Sequence, residues 1–596
     1  MVSTNKELRK SGNSNKLYEQ FYRVALALVI GILTGLGAVA FRKLISFFHN
    51  GFFDHGGQLL SFLGQYYVII IPMAGGLIVG PLTYFFAREA KGHGVPEVMA
   101  AVAVRGGRIR PRIVLVKALA SAVCIGSGGS VGREGPIVQI GSAIGSTVGQ
   151  VFKVSTRKMR ALVACGAAGG IAATFNAPIG GVLFALEIIL GDFTGDHLML
   201  VIISSVTSAV ISRIMLGNDP AFIVPAYPLS HPVELLLYAL LGVVCGIFAV
   251  VYIRVLYKSE DIFDSIKIIP EYLKPVLGGF LIGAIGLKFP QIFGVGYESI
   301  EMAITGNMIF SITAALVLLK LLATSITIGS GGSGGVFAPG LFMGSMLGAS
   351  MGYVFHYLFP NIAITPAAYA LVGMGSVFAG SAHAPITAII MLFEMSNDYH
   401  IILPLMIACV ISSVVAKTVY HNNIYVVKLV RRGLDIEAAR RPDVLKNVLV
   451  KDVMTSRIET IPCKFTIKEA RKLVHGSPHR GFPVVTEDGY ICGIVTSNEL
   501  ERAFTEGDID KQVNELAVHH LVTVTPYEPI SVAARRMVEY DIGRLPVVDP
   551  DNAEKIIGLL SRTDIISAYS KGLLQEDNLE ESFVSKHITD IETLKG

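Results

Sequence analysis

The sequence predicts an all-α polytopic membrane domain made of two repeats of broken helices, followed by a soluble α/β module. Three observations carry this. Hydrophobic residues make up 52% of the 596 positions and charged ones 16%, against roughly 25% charged in ordinary soluble domains. Of the 96 charged residues, 49 lie in the last 166 positions, so the apolar and polar compositions belong to different parts of the chain. Two glycine-rich segments, "GSGGSVGREGP" at 126–136 and "GSGGSGGVFAP" at 329–339, nearly repeat each other within the apolar part.

In chain order, the first twenty-odd residues, "MVSTNKELRKSGNSNKLYEQFYR", are polar and basic. They lack the early apolar core and cleavage site of a signal peptide and read as a cytoplasmic segment. Long apolar runs follow at 23–48, 66–87, 199–215, 233–256, 272–288, 312–328, 340–358 and 401–419. Several reach the about 20 residues that a bilayer crossing needs. Shorter pieces at 137–152, 161–175, 178–190, 367–380 and 385–395, broken by glycine and proline, suit discontinuous helices. Such helices persist in a membrane only where protein or a water-filled cavity satisfies their free backbone groups. The arginines of "RGGRIRPR" (105–112) and the cations of "KVSTRKMR" (153–160) put those loops on the cytoplasmic side.

The repeat holds a constant offset. Lys117 and Lys320, Gly126 and Gly329, and Pro136 and Pro339 are 203 positions apart, while Pro178 and Pro385, and Glu187 and Glu394, are 207 apart. Two halves with broken helices in matching places predict a site at mid-membrane between them. Spacing alone leaves parallel and inverted repeats both open. From about 445 a second repeat begins: "GFPVVTEDGYICGIVTSNEL" (481–500) matches "GRLPVVDPDNAEKIIGLLSRTDI" (543–565). Each copy reads as an extended piece, an amphipathic helix, a β-hairpin and a helix start. The expected boundaries are a segment 1–20, a membrane domain 21–430 (repeats 21–215 and 230–430), a linker 431–446, modules 447–510 and 511–575, and a polar tail 576–596.

Of the six cysteines, Cys124, Cys165, Cys245 and Cys409 lie in apolar runs. No pair has metal-ligand spacing, so buried thiols rather than disulfides or a metal site are expected. A net charge of +4 is too small to point to nucleic acid.

The glycine segments need their own account. A Gly-x-Gly pattern between membrane-like flanks is no dinucleotide fingerprint, which requires a strand before it and a helix after. Tight packing of small residues explains the glycines but not Arg133 and Glu134, since intramembrane charge costs at least ~2.5 kcal/mol per residue. A glycine turn followed by Pro136 or Pro339 starts a helix whose free N–H groups and positive dipole end bind anions. Glu134 then mimics the anion, and its protonation or displacement vacates the site.

At these residues the chain resembles a known family. "GHGVPE" (92–97), "GREGP" (132–136), "GGVFAP" (334–339) and "NNIYVV" (422–427) resemble the anion-binding motifs of the CLC chloride channels and chloride/proton exchangers. The tail resembles a pair of cystathionine-β-synthase (CBS) domains. The resemblance spans about residues 20–575. It implies inverted repeats, a homodimer with one pore per subunit, and an integral multi-pass protein whose N-terminus and CBS domains are cytoplasmic. Carried over by motif, Glu134 is the gating glutamate, protonated from outside. The anion set is His93, Gly94, Arg133, Gly135, Gly335, Val336, Phe337 and Tyr425, with Arg133 steadying its loop.

Two departures matter. His93 stands where many members have Ser; its ring can donate to an anion but titrates near about pH 6.5, which bears on selectivity. Ile188 stands where exchangers carry the internal proton acceptor, and Glu187, one residue away, is turned about 100° from it on a helix. These points favour voltage- or pH-gated, channel-like conduction of chloride or related small anions, with chloride/proton antiport as the alternative. No cofactor is required. The resemblance of the tail to a CBS pair implies either a structural dimerisation module or a site for ATP, ADP or AMP near Thr496, Ser561 and Asp564. A CBS-containing cation transporter is the more remote reading, since it needs a path lined with acids and the membrane region has few. A membrane enzyme using Glu134 lacks a partner nucleophile or metal cluster.

Overall fold

The computed structural model describes residues 2–193, 195–218, 221–222, 224–225, 231–363, 365–434, 448–477, 479–519 and 521–568, with 2–19 and 195–196 as backbone only. Most of the expected linker and all of the polar tail lie outside the described residues. The chain divides into two compact units, 1–440 and 441–596, and each is described by itself.

The first unit is helical throughout. Its elements are α1 (Val2–His49), α2 (Tyr67–Pro81), α3 (Val95–Val104), α4 (Ile113–Gly126), α5 (Glu134–Val151), α6 (Thr156–Phe175), α7 (Pro178–Phe184, continued by a wider turn Ala185–Leu190) and α8 (Gly195–Leu216). There follow α9 (Glu234–Ser265), α10 (Lys274–Gly286), α11 (Tyr297–Ile304), α12 (Phe310–Gly329), α13 (Phe337–Leu358), α14 (Ala368–Ala382), α15 (Pro385–Ser396), α16 (Ile402–Val419) and α17 (Val426–Arg431). Six of the described helices are long and apolar enough to cross a membrane. Proline sits in the first turn of α3, α7, α10 and α15, where its missing N–H costs nothing and its fixed φ starts a helix.

The repeat in the sequence is a repeat in space. α4–α5 and α12–α13 are matching pairs broken by the two glycine segments, and α2 packs against α10. That last contact is reciprocal: a β-carbon on Gly76 would run into the Pro275 carbonyl, and one on Gly279 into the Pro72 carbonyl. A two-fold relation between the halves produces such an exchange of equivalent contacts. The repeated lysines act as internal posts. Lys117 and Lys320 are both 0% exposed. Lys117 Nζ donates to the carbonyls of Ala90 (2.9 Å) and Gly92 (2.7 Å), and Lys320 Nζ to those of Ile292 and Gly294 (both 2.9 Å). An ammonium ion is tolerated in a core only when its hydrogens are matched in this way.

The second unit holds two α/β copies. In the first, β1 (Ile461–Pro462) runs parallel to β2 (Gly481–Val485), which pairs antiparallel with β3 (Ile491–Thr496). The turn between β2 and β3 carries Gly489 at φ 82°, a conformation glycine adopts freely. In the second, β4 (Arg544–Asp549) pairs with β5 (Asn552–Ser561), and Val524 bridges Val547 in parallel as Ile461 does Val484. The helices are α18 (Ile467–Val474), α19 (Ser497–Thr505), α20 (Val513–Leu516), α21 (Ile530–Glu539) and one over 562–568.

The copies interlock. Val450 packs in the core of the second copy, and Val513 and Ala517 in that of the first. Ile530 N–H donates to Val448 and Val513 N–H to Phe465. One cysteine expectation is corrected. Cys463 and Cys492 are joined as a disulfide, because Cys463, just beyond β1, donates its N–H to the Val485 carbonyl, and Val485 faces Ile491 beside Cys492. Cys124, Cys165, Cys245 and Cys409 are free and buried.

Candidate functional site

Three broken loops are stitched together by their backbones. Gly92 N–H donates to the Gly332 carbonyl at 2.9 Å. Gly132 and Gly335 exchange hydrogen bonds, N–H to carbonyl, at 2.8 and 2.6 Å. The stitching brings the N-termini of α3, α5 and α13 together: a β-carbon on Gly135 would lie 3.0 Å from Gly335 Cα and 3.4 Å from Gly94 N. Only glycine permits this approach. Among the described residues, the N–H groups of Gly94, Gly135, Val336 and Phe337 have no acceptor. Four orphan donors thus gather at three positive dipole ends, an arrangement of neutral backbone that can bind an anion. Gly335 differs from the sequence expectation: its N–H is already paired with Gly132, so it brings the backbones close rather than donating to an anion.

Glu134, the first residue of α5, is 1% exposed. Its Oε2 accepts from the Ala338 N–H of α13 at 3.3 Å and its Oε1 from the Tyr297 hydroxyl at 3.2 Å. The carboxylate therefore stands at a helix N-terminus of the opposite repeat. Arg133 does not reach into the site: its guanidinium donates to the Thr174 carbonyl at 3.3 Å and lies 5.0 Å over the Tyr297 ring. It braces the loop and orients the tyrosine that holds Glu134.

Tyr297 was missed by sequence reasoning, although the repeat contained it. "GHGVPE" (92–97) has its counterpart in "GVGYES" (294–299), as the matching lysine bonds to Gly92 and Gly294 show. The second copy of that loop thus supplies a hydroxyl to the carboxylate on the first copy of the other.

On the other side of the N-termini, His93 and Tyr425 are buried, with ring centroids 6.2 Å apart. His93 Nε2 lies 3.2 Å from the Tyr257 hydroxyl, which donates to the Ile424 carbonyl at 2.6 Å. His93 Nδ1 is buried without a partner. The Tyr425 hydroxyl has no hydrogen bond among the described residues, whereas the Tyr252 hydroxyl donates to the Val336 carbonyl at 2.9 Å. Tyr257 and Tyr252, both in the long apolar α9, give no signal in the sequence beyond ordinary aromatic core.

Ile188 is buried in the turn after α7. Its neighbour Glu187 accepts from the N–H groups of Ile386 (3.3 Å) and Thr387 (2.7 Å) and from the Thr387 hydroxyl (2.5 Å), at the start of α15. Glu394, at the end of α15, accepts from Ile179 (3.0 Å) and Gly180 (2.6 Å) at the start of α7. Each repeat caps the other's helix.

In the second unit, a cavity of about 370 Å³ is lined by both copies, including Arg457, His479, Arg480, Arg544, Ser561 and Asp564. Its size and cationic rim fit a phosphate-bearing ligand. Asp564 Oδ2 accepts from the Ser561 N–H (2.8 Å) and hydroxyl (2.7 Å). Thr496 is not part of this lining; with Glu499 it closes a capping box on α19.

Comparisons with known proteins agree with this geometry. A family model described as "Voltage gated chloride channel" matches residues 75–417, and one described as "CBS domain" matches 450–506 and 513–571. The chain is 33% identical to the H(+)/Cl(-) exchange transporter ClcA of Vibrio parahaemolyticus, over 72% of this chain and 93% of that one. It is 28% identical to chloride channel protein CLC-f of Arabidopsis thaliana, over 90% and 79% respectively. Among solved structures, a slow cyanobacterial Cl-/H+ antiporter superposes with a TM-score of 0.64 at 28% identity, covering 69% of this chain and 97% of that one.

Proposed function

The chain belongs to the CLC family of voltage-gated chloride channels and carries a C-terminal pair of CBS domains; from that premise we propose that it exchanges chloride for protons across a membrane. The anion is held by the N–H groups of Gly94, Gly135, Val336 and Phe337, with the Tyr425 hydroxyl and the His93 ring completing the shell. Glu134 is the gate. The observation that carries the reading is the bond from the Ala338 N–H to Glu134 Oε2. A carboxylate that already occupies a helix N-terminus competes with an anion for that ground, and protonation removes its charge and the competition.

Exchange ranks above the channel-like conduction that Ile188 alone favours, because an exchange transporter and an antiporter structure stand among the similar proteins. Uncoupled conduction remains the second reading. Its specific support is the buried isoleucine at 188, which carries no proton, beside a Glu187 wholly engaged as a helix cap. The proposal extends to a homodimer with its N-terminus and CBS domains in the cytoplasm, with the boundaries given above. The cavity of the CBS pair takes ATP, ADP or AMP, phosphates toward its arginines and ribose toward Asp564. The test is proton movement in proteoliposomes under an outward chloride gradient with no proton gradient. Exchange predicts uphill proton pumping that stops when Glu134 is neutralised; chloride efflux without proton movement would select the channel.

A further inference from the structure

The surroundings of His93 fix more than its position. A tyrosine hydroxyl has one proton. The Tyr257 hydroxyl lies 2.6 Å from the Ile424 carbonyl oxygen, which only accepts, and 3.2 Å from His93 Nε2. The shorter bond takes the proton, so Tyr257 accepts from the ring and Nε2 carries the N–H. In a neutral imidazole the other nitrogen then has a bare lone pair. That nitrogen, Nδ1, is buried with no partner, on a ring beside the unpaired Gly94 N–H and 6.2 Å from the Tyr425 ring. A lone pair repels an anion, and an N–H attracts it.

We infer that His93 binds the permeating anion only as an imidazolium, so that each anion seated beside it brings a proton onto Nδ1. The inference rests on the anion site proposed above and adds to it a proton-linked ligand distinct from Glu134. A hydronium ion gives up one O–H bond as the Nδ1–H bond forms and leaves as water, and the transfer reverses when the anion departs; no electrons are exchanged.

The charged and titratable groups around the ring make the linkage tight. Lys117 of α4 donates to the Gly92 carbonyl, one residue from His93. Lys428 of α17 comes within 2.9 Å of where a Gly92 β-carbon would stand. Arg432 is paired with Glu97 of α3 at 2.5 Å, and Arg105 with the same carboxylate at 3.5 Å. Glu260 of α9 faces Lys428, and Arg431 lies 4.9 Å over the ring of Tyr257; Tyr257 of α9 and Tyr425 flank the imidazole, and Glu134 lies beyond them at the N-terminus of α5. With Glu97 engaged by Arg432 and Arg105 and Glu260 facing Lys428, an imidazolium in this company gains its stabilisation from an anion at its Nδ1–H. A serine at position 93 offers its hydroxyl proton at any pH and carries no such linkage.

The test separates His93 from Glu134 by working in Glu134→Gln protein, purified full-length. Chloride binding is measured by calorimetry across pH 5–8 in two buffers of different ionisation heat, which counts protons taken up per anion. The expected result is uptake approaching about one proton per chloride, and an affinity that weakens up to about tenfold per pH unit as the ring deprotonates. Adding His93→Asn, which puts a permanent amide donor near the position of Nδ1, removes both effects from the chloride binding that is measured. Tyr257→Phe frees the ring to move its proton to Nδ1 and flattens the pH dependence with His93 still present, an independent check should the asparagine variant fold poorly. Equal pH dependence with and without His93, or none in either, overturns the inference while leaving the anion site standing. No chloride heat at any pH overturns the site itself, and the inference with it.

Discussion

Replacing Glu187 separates the two roles its neighbourhood suggests, helix cap and proton acceptor. Glu187→Ala strips α15 of three accepted hydrogen bonds. Ile386 is half exposed, so water recovers its N–H, but Thr387 is fully buried and its N–H and hydroxyl are left without acceptors. At about 1–3 kcal/mol for each of these two buried orphans, the loss is about 2–6 kcal/mol. Glu187→Gln keeps a carbonyl oxygen for Thr387, turns its amide nitrogen toward the half-exposed Ile386 N–H, and forfeits the charge–dipole interaction. That costs about 1 kcal/mol. Thermal unfolding in detergent follows this directly, since four free cysteines, Cys124, Cys165, Cys245 and Cys409, are buried and become reactive to a thiol dye on unfolding. The alanine variant should lower the midpoint by roughly 2–6 °C and the glutamine variant by a third of that or less. Proteoliposomes with Glu187→Gln should keep the wild-type proton-to-chloride ratio. An unshifted midpoint for Glu187→Ala, or proton transport abolished by Glu187→Gln, would refute the assignment of this carboxylate to capping.

Lys320→Met leaves the Ile292 and Gly294 carbonyls without their donor and should destabilise the membrane unit by about 3 kcal/mol, read as a lower midpoint in the same thiol assay. Gly132→Ala puts a methyl group where Glu134 Oε2 stands. The carboxylate must move off Ala338, so chloride flux should rise and lose part of its dependence on external pH; unchanged flux would show that the gate has room to spare. Full-length protein should bind ATP, ADP or AMP weakly by calorimetry, with Arg544→Ala and Asp564→Ala each lowering affinity. Unaltered heats in both would move the nucleotide out of that cavity.

Much of this was legible in the sequence because membrane helices are spelled by composition and their breaks by glycine and proline. The offset between "GSGGSVGREGP" and "GSGGSGGVFAP" located two of the four motif loops and made Glu134 conspicuous as a charge in an apolar context. What it hid was pairing. Gly335 looks like a donor until its N–H is seen bonded to Gly132. Tyr257 and Tyr252 sit in an apolar helix, where a hydroxyl seeking a carbonyl looks no different from core. Tyr297 could have been found by carrying the repeat one loop further back. The Cys463–Cys492 pair is set by strand pairing across 29 positions, and the exchange of segments between the CBS copies by which core each valine reaches. Neither is encoded in local periodicity.

On the proposed mechanism, Glu134 and the transported anion compete for the same helix N-termini. Anomalous diffraction from crystals soaked in bromide tests it in a single comparison. Bromide should lie at the N–H groups of Val336 and Phe337 in the wild-type protein. In Glu134→Gln, a second peak should appear at the Ala338 N–H, where the carboxylate stands now. Bromide bound away from Gly94, Gly135, Val336 and Phe337, or a Glu134→Gln crystal with no added peak at Ala338, would contradict it.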